Sequence, residues 1–127
     1  MDTIVFDLDG VIATGTTDEV YSDEAGWAFE KCELVEGTKE GLKKLSKDYN
    51  LILSTARWRT DLEKTVKWLR EKNVYHYFDE IRVGEKSSAL LYVDDNGYRF
   101  RINDGQEKAW KKLIEDIEKI KEGEEIW

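Results

Sequence analysis

Thr3-Ile4-Val5-Phe6-Asp7-Leu8-Asp9-Gly10 is the stretch on which the fold turns. Its first four residues are β-branched or aromatic, as in a strand buried on both faces, and Gly10 is the first turn signal after them. Asp7 therefore stands at the C-terminal end of a strand, where loops leave an open α/β sheet and ligands bind. Asp7 and Asp9 cannot both be buried as bare anions, because desolvating each ionised carboxylate costs several kcal/mol unless a cation or dense hydrogen bonding offsets it. A hard divalent metal would offset both. An Asx-type turn is the competing reading of a lone D-x-D-G, so the rest of the chain has to separate the two.

Two further apolar runs end in the same way. Leu51-Ile52-Leu53 reads as a buried strand leading into Ser54-Thr55-Ala56-Arg57, and Leu90-Leu91-Tyr92-Val93 as another ending in Asp94-Asp95-Asn96-Gly97. Phe78 to Val83 is a short strand closed by Gly84, and Tyr98 to Ile102 is an edge strand after the Asn-Gly turn. Helical patterns lie between and after the strands. Thr38 to Asp48 carries Leu42 and Leu45 with Thr38 as N-cap; Thr60-Asp61-Leu62-Glu63 is a capping box opening a helix with Leu62, Val66 and Leu69 on one face. From about Asn103 to Lys121, one stripe holds Trp110, Leu113, Ile114, Ile117 and Ile120. Strands alternating with helices predict a three-layer, Rossmann-like parallel sheet of the α/β class. Between the first strand and the first helix, Ala13 to Glu36 is an acidic excursion with Tyr21, Trp27 and Phe29 interspersed. Its length suits a lid or binding loop containing a short hairpin, not an independent cap domain.

The 127 residues suffice for one core, so residues 1–127 are expected to be a single domain. Apolar residues make up 40% and charged ones 38%, which fits a globular chain rather than a disordered one. A net charge of −8 disfavours nucleic acid and anionic membranes as partners. Cys32, the single cysteine, excludes an intrachain disulfide and reads as a small buried hydrophobe. Neither a signal sequence nor an apolar run of membrane-spanning length is visible, and the expected location is cytoplasmic. His76, the one histidine, lies between Tyr75 and Tyr77 and reads as a packed or surface ring rather than a catalyst.

Three strand ends thus carry Asp7/Asp9, Ser54/Thr55 and Asp94/Asp95, and one parallel sheet would bring all three to the same edge. Lys86 lies in the loop before the last of them. The series D-x-D-G-V, strand-end Ser/Thr, Lys, then an apolar strand with an Asp pair resembles the haloacid dehalogenase superfamily of aspartate-nucleophile phosphatases, over about residues 3 to 100. Leu53-Ser54-Thr55-Ala56-Arg57, Trp68-Leu69 and Tyr92-Val93-Asp94-Asp95 are most similar to its small capless phosphatases associated with polysaccharide biosynthesis. Polynucleotide kinase phosphatase domains resemble the chain more distantly. One departure is Ser87 after Lys86, where such proteins usually carry proline.

The resemblance implies a Mg²⁺-dependent phosphomonoesterase. In it, Asp7 would be the nucleophile and Asp9 the general acid and base, with Thr55 and the Leu8 and Asp9 amides on the transferring oxygens. Lys86 would neutralise charge, and Asp7, the Asp9 carbonyl, Asp94 and Asp95 would hold the metal, with Asp95 favoured as the direct ligand. Ser54, Arg57 and Trp58 are candidates for substrate contact: a guanidinium can hold a second anion, and an indole can stack on a sugar. With no cap the site would be open, leaving selectivity to nearby side chains, a larger substrate or a neighbouring copy in a homo-oligomer. The expected substrate is a small phosphorylated metabolite, a sugar phosphate above others. A nucleic-acid 3′-end phosphatase and a non-catalytic Mg²⁺ or phosphate-binding module are the alternatives.

Overall fold

The computed structural model describes residues 2–14, 21–22, 26–27, 32–55, 62–83, 91–94, 98–100, 102 and 105–122. Its centre is a five-stranded sheet of β1 (Thr3–Asp7), β6 (Asn50–Thr55), β7 (Glu80–Val83), β8 (Leu91–Asp94) and β9 (Tyr98–Arg99). The spatial order is β7-β6-β1-β8-β9 and every pairing is parallel. Counted along the chain, that order is third, second, first, fourth, fifth, the arrangement of a Rossmann-like sheet, with its reversal between β1 and β8. The protein is thus of the α/β class with a parallel sheet.

β1 is central because it is apolar throughout: Ile4, Val5 and Phe6 are buried and strands flank it on both sides. Ile4 and Phe6 face one core with Leu51 and Leu53 of β6 and Leu91 and Val93 of β8. Val5 and Ile52 point to the opposite face and are buried outside that core. The core is completed by α1 (Thr38–Leu45), α2 (Leu62–Glu71) and α3 (Gln106–Lys121), through Leu42, Leu45, Trp68, Leu69, Trp110, Leu113 and Ile117. Asp79 braces the register between elements: its carboxylate accepts the Leu51 N–H at 2.8 Å while its own N–H donates to the Leu51 carbonyl.

Trp110 pins α1 and α3 to the sheet. Its ring stacks on Phe6 (5.7 Å between centroids), meets Phe100 edge-on (5.4 Å), and donates its Nε1–H to Thr38 Oγ1 at 3.0 Å. A Cβ placed on Gly41 would lie 2.2 Å from Trp110 Cε3, so the indole occupies the space a side chain would need.

Several boundaries differ from expectation, each for a local reason. Thr38 is not the N-cap of α1; Gly37 is, at φ 90°, and Thr38 is turned inward because its hydroxyl satisfies the buried indole N–H. α2 is rotated from the expected face. Thr65, Trp68 and Leu69 are buried, whereas Leu62 is exposed, because Trp68 is the larger apolar group and its N–H reaches the Cys32 carbonyl at 3.4 Å. The capping box at Thr60-Asp61 lies outside the described residues. In α3, Asp116 joins the buried stripe because the Tyr98 hydroxyl and Lys112 Nζ both bond to it. β9 is shorter than expected and runs parallel to β8, not as the hairpin partner an Asn-Gly turn usually makes.

The acidic excursion contains two antiparallel ladders, β2 (Ala13–Thr14) with β5 (Glu33–Leu34) and, between them in sequence, β3 (Tyr21–Ser22) with β4 (Gly26–Trp27). The short hairpin expected there is thus present. Its base is anchored by Ile12, Ala13, Cys32 and Val35, all buried in the main core.

Candidate active site

Strand register assembles the site. β1 ends at Asp7, whose partner on β6 is Ser54; Ser54 in turn is paired with Arg82 on β7. On the other side Phe6 is paired with Val93, and β8 ends one residue later at Asp94, which is paired with Arg99 on β9. One row across the C-terminal edge of the sheet therefore reads Arg82, Ser54, Asp7, Asp94, Arg99. Its centre, Asp7 beside Asp94, is the point where strand order reverses, the position at which open α/β sheets bind their ligands.

After Asp7 the chain leaves the sheet through a single tight turn. The Leu8 carbonyl accepts the N–H groups of Ile12 (3.0 Å) and Ala13 (2.9 Å), and the Gly10 N–H donates to the Ala13 carbonyl at 2.9 Å. Gly10 has φ 81°, the left-handed region; nothing lies within 4 Å of an added Cβ, so glycine is required there by the backbone and not by space. Buried Leu8, Val11 and Ile12 hold the turn to the core and present Asp7 and Asp9, both partly exposed, at the edge. The Leu8 N–H donates to Asp7 Oδ1 at 2.9 Å, which fixes the orientation of that carboxylate. In this arrangement the Leu8 amide serves Asp7 directly. Asp9 is engaged by other groups as well, while its Oδ1 is a buried oxygen accepting no hydrogen bond.

Ser54, partly exposed, is the hydroxyl in register with Asp7. Thr55, one step further along β6 and 2% exposed, is paired with Val83. Sequence reasoning placed these groups at one edge, and the register brings Asp7, Ser54 and the β8 terminus together there. Arg57, Trp58, Lys86 and Asp95 lie outside the described residues, and Asp94 is described by its backbone alone. Among the described residues no group of three or more His, Cys, Asp or Glu side chains is close enough to hold a metal. The expected donor set of Asp7, Asp9, Asp94 and Asp95 is all oxygen, which suits a hard ion such as Mg²⁺.

Arg82 was not anticipated. Its Nη2 is 2.8 Å from Glu80 Oε2, two residues back on the same face of β7, and that contact holds the Glu80 carboxyl below its ordinary range. The signal was present in the sequence, since Glu80-Ile81-Arg82-Val83 alternates polar and apolar as an edge strand does. Elsewhere, Cys32 is buried, as expected, and His76 packs on Tyr77 at 4.0 Å between ring centroids. Among the described residues no helix is long and apolar enough to cross a membrane.

The chain matches no family model, and no curated protein matches it.

Proposed function

We propose that the protein is a phosphomonoesterase of the haloacid dehalogenase type, three-layered and capless, that uses Asp7 as nucleophile on a small phosphorylated metabolite such as a sugar phosphate. The observation that carries this reading is the register at the sheet edge, Ser54 beside Asp7 beside the β8 terminus at the strand-order reversal.

In the first step an Asp7 carboxylate oxygen bonds to phosphorus, the ester P–O bond breaks, and Asp9 gives its proton to the leaving oxygen. In the second, Asp9 takes a proton from water as that water attacks the aspartyl phosphate, which releases inorganic phosphate and restores Asp7. Bringing a carboxylate within about 3 Å of a phosphate charge costs roughly 5 kcal/mol per unit pair at an effective dielectric near 20. Lys86 and the Ser54 and Thr55 hydroxyls are assigned to offset it, as cation and as hydrogen-bond donors. Mg²⁺ would be held by Asp7, the Asp9 carbonyl, Asp94 and Asp95, and when bound supplies further neutralisation of the phosphoryl oxygens. Arg57 and Trp58 are assigned to the substrate's sugar portion.

The test is phosphate release from a panel of sugar phosphates, phosphorylated sugar acids and 3′-phosphorylated oligonucleotides, with and without Mg²⁺ at fixed salt. Sugar phosphates should be preferred, because the net charge of −8 repels a polyanion. Preference for oligonucleotide ends would replace this reading with nucleic-acid end processing. No release from any substrate would leave a binding module.

A further inference from the structure

The row of strand-terminal residues extends past the groups assigned to chemistry. Asp7, Ser54 and Arg82 are in-register partners on three adjacent strands, so their side chains leave the same face of the sheet at the same level. Adjacent strands are about 4.8 Å apart, which puts the Arg82 backbone roughly 10 Å from that of Asp7, with the small Ser54 side chain between them. An arginine is long enough to cover much of that gap, and serine is short enough not to block it. Among the described residues β7 is the edge strand, with no further strand beyond Arg82, whose side chain is 27% exposed.

Arg82 is also already loaded with the kind of group it would bind. The Glu80 carboxylate, 47% exposed, rests 2.8 Å from Nη2. A pair this accessible is held weakly, since solvent screens it and both side chains lose rotamer freedom to form it. A ligand anion that engaged both terminal Nη groups would displace it, because bidentate charge-assisted bonds are stronger than a single-point contact; the Nε edge is buried and is not offered to the ligand.

We propose that Arg82 determines specificity, binding a second anionic group of the substrate while the phosphomonoester lies against Asp7, with the Glu80 carboxylate one of the resting contacts it exchanges for that anion. This rests on the phosphatase reading for the position of the phosphate. The second anion would stand one to two strand spacings from the phosphorus, roughly 5–10 Å, as a carboxylate does at the far end of a phosphorylated sugar acid.

Two open-chain probes that differ only at C1, a carboxylate in one and a hydroxymethyl group in the other, test the proposal: 6-phosphogluconate and sorbitol 6-phosphate. Binding is measured by calorimetry on Asp7→Asn, which needs no turnover, and kinetics on the chain with Asp7 intact. 6-Phosphogluconate should bind more tightly than sorbitol 6-phosphate. Arg82→Gln should weaken it by about 10- to 100-fold, the range expected for losing a bidentate bond between charged groups, and leave sorbitol 6-phosphate unchanged. In kinetics the loss should fall on KM for 6-phosphogluconate, with kcat for p-nitrophenyl phosphate unaltered. Arg82→Lys should recover part of the affinity, since it restores charge without the fork. Glu80→Gln should tighten 6-phosphogluconate a few-fold by removing the competitor. An equal affinity for both probes, an advantage that survives Arg82→Gln, or a kcat loss on p-nitrophenyl phosphate overturns the proposal. Absence of phosphate release from every probe would instead overturn the phosphatase reading, leaving the calorimetric comparison to judge Arg82.

Discussion

Replacing Gly41 by alanine should destabilise the protein, against the rule for glycine inside a helix. Gly41 is mid-way along α1, and on helix propensity alone alanine would gain about 1 kcal/mol. The new Cβ, however, would lie 2.2 Å from Trp110 Cε3 and 2.5 Å from Cζ3. The indole cannot swing aside, because Phe6 stacks on it, Phe100 meets it edge-on, and its N–H is bonded to Thr38. Relief therefore requires α1 or α3 to move by about an ångström, and overpacking of this kind costs about 1–3 kcal/mol, at times more. With the steric cost at the upper end, the net is a loss of about 2 kcal/mol. For a chain of this length, that lowers Tm by roughly 6–10 °C. Thermal and urea unfolding should be followed in the natural background and with Trp110→Leu, which removes the atoms in conflict. In the second background Gly41→Ala should be neutral or stabilising, a coupling of about 1–3 kcal/mol between the sites. A rise in Tm on Gly41→Ala alone, or an equal cost in both backgrounds, would refute the argument.

Asp7→Asn should keep the melting temperature within a few degrees and abolish turnover, because an amide of the same size is not a nucleophile; a tenth of the natural rate remaining would exclude the covalent route. Asp9→Asn should also stop turnover yet still release one equivalent of p-nitrophenol in a burst, since that leaving group needs little protonation; stopped-flow absorbance reads it directly. Millimolar Mg²⁺ should raise Tm, and a chelator should remove both the rise and the activity; no shift by calorimetry would contradict the metal assignment. The pH dependence of stability should show the Tyr98–Asp116–Lys112 cluster on both limbs. Burial pushes the Asp116 carboxyl up, but the bonds from Lys112 and Tyr98 outweigh it and leave the group below its ordinary range. Its contribution is thus present above about pH 4 and lost as pH falls through the depressed value. Tyr98 is pushed above its ordinary range by burial, then by the bond to Asp116, so stability should also fall as pH rises past about 10. Asp116→Asn should flatten the acid limb in urea titrations, and an unchanged acid limb would remove Asp116 from the account.

What could be read in the sequence was what local pattern controls. Three apolar runs ending in Asp7, Ser54 and Asp94 are uninterrupted and bounded by polar residues, and they are the three central strands. The failures lie where a distant partner decides. Thr38 looks like a cap until Trp110, 72 residues away, claims its hydroxyl. Leu62 looks buried until Trp68 turns α2 toward Cys32. Asp116 looks solvated until Tyr98 of β9 is set beside it. Arg82 belongs to no motif, and only the pairing of β7 with β6 relates it to Asp7. The parallel course of β9 was likewise hidden, because an Asn-Gly pair favours a hairpin on local grounds.

The central position of β1 also sets the order in which the sheet is completed during synthesis. Ile4 waits for Leu51 on one side and for Leu91 on the other, the second arriving about 87 residues later. At about 5–20 residues per second, a ribosome leaves one edge of that apolar strand open for roughly 4–17 seconds. During that interval Ile4, Val5 and Phe6 form an exposed strand edge able to pair with another nascent chain. Yield in the cell should then depend on translation speed and chaperone supply more than the stability of the finished sheet would suggest.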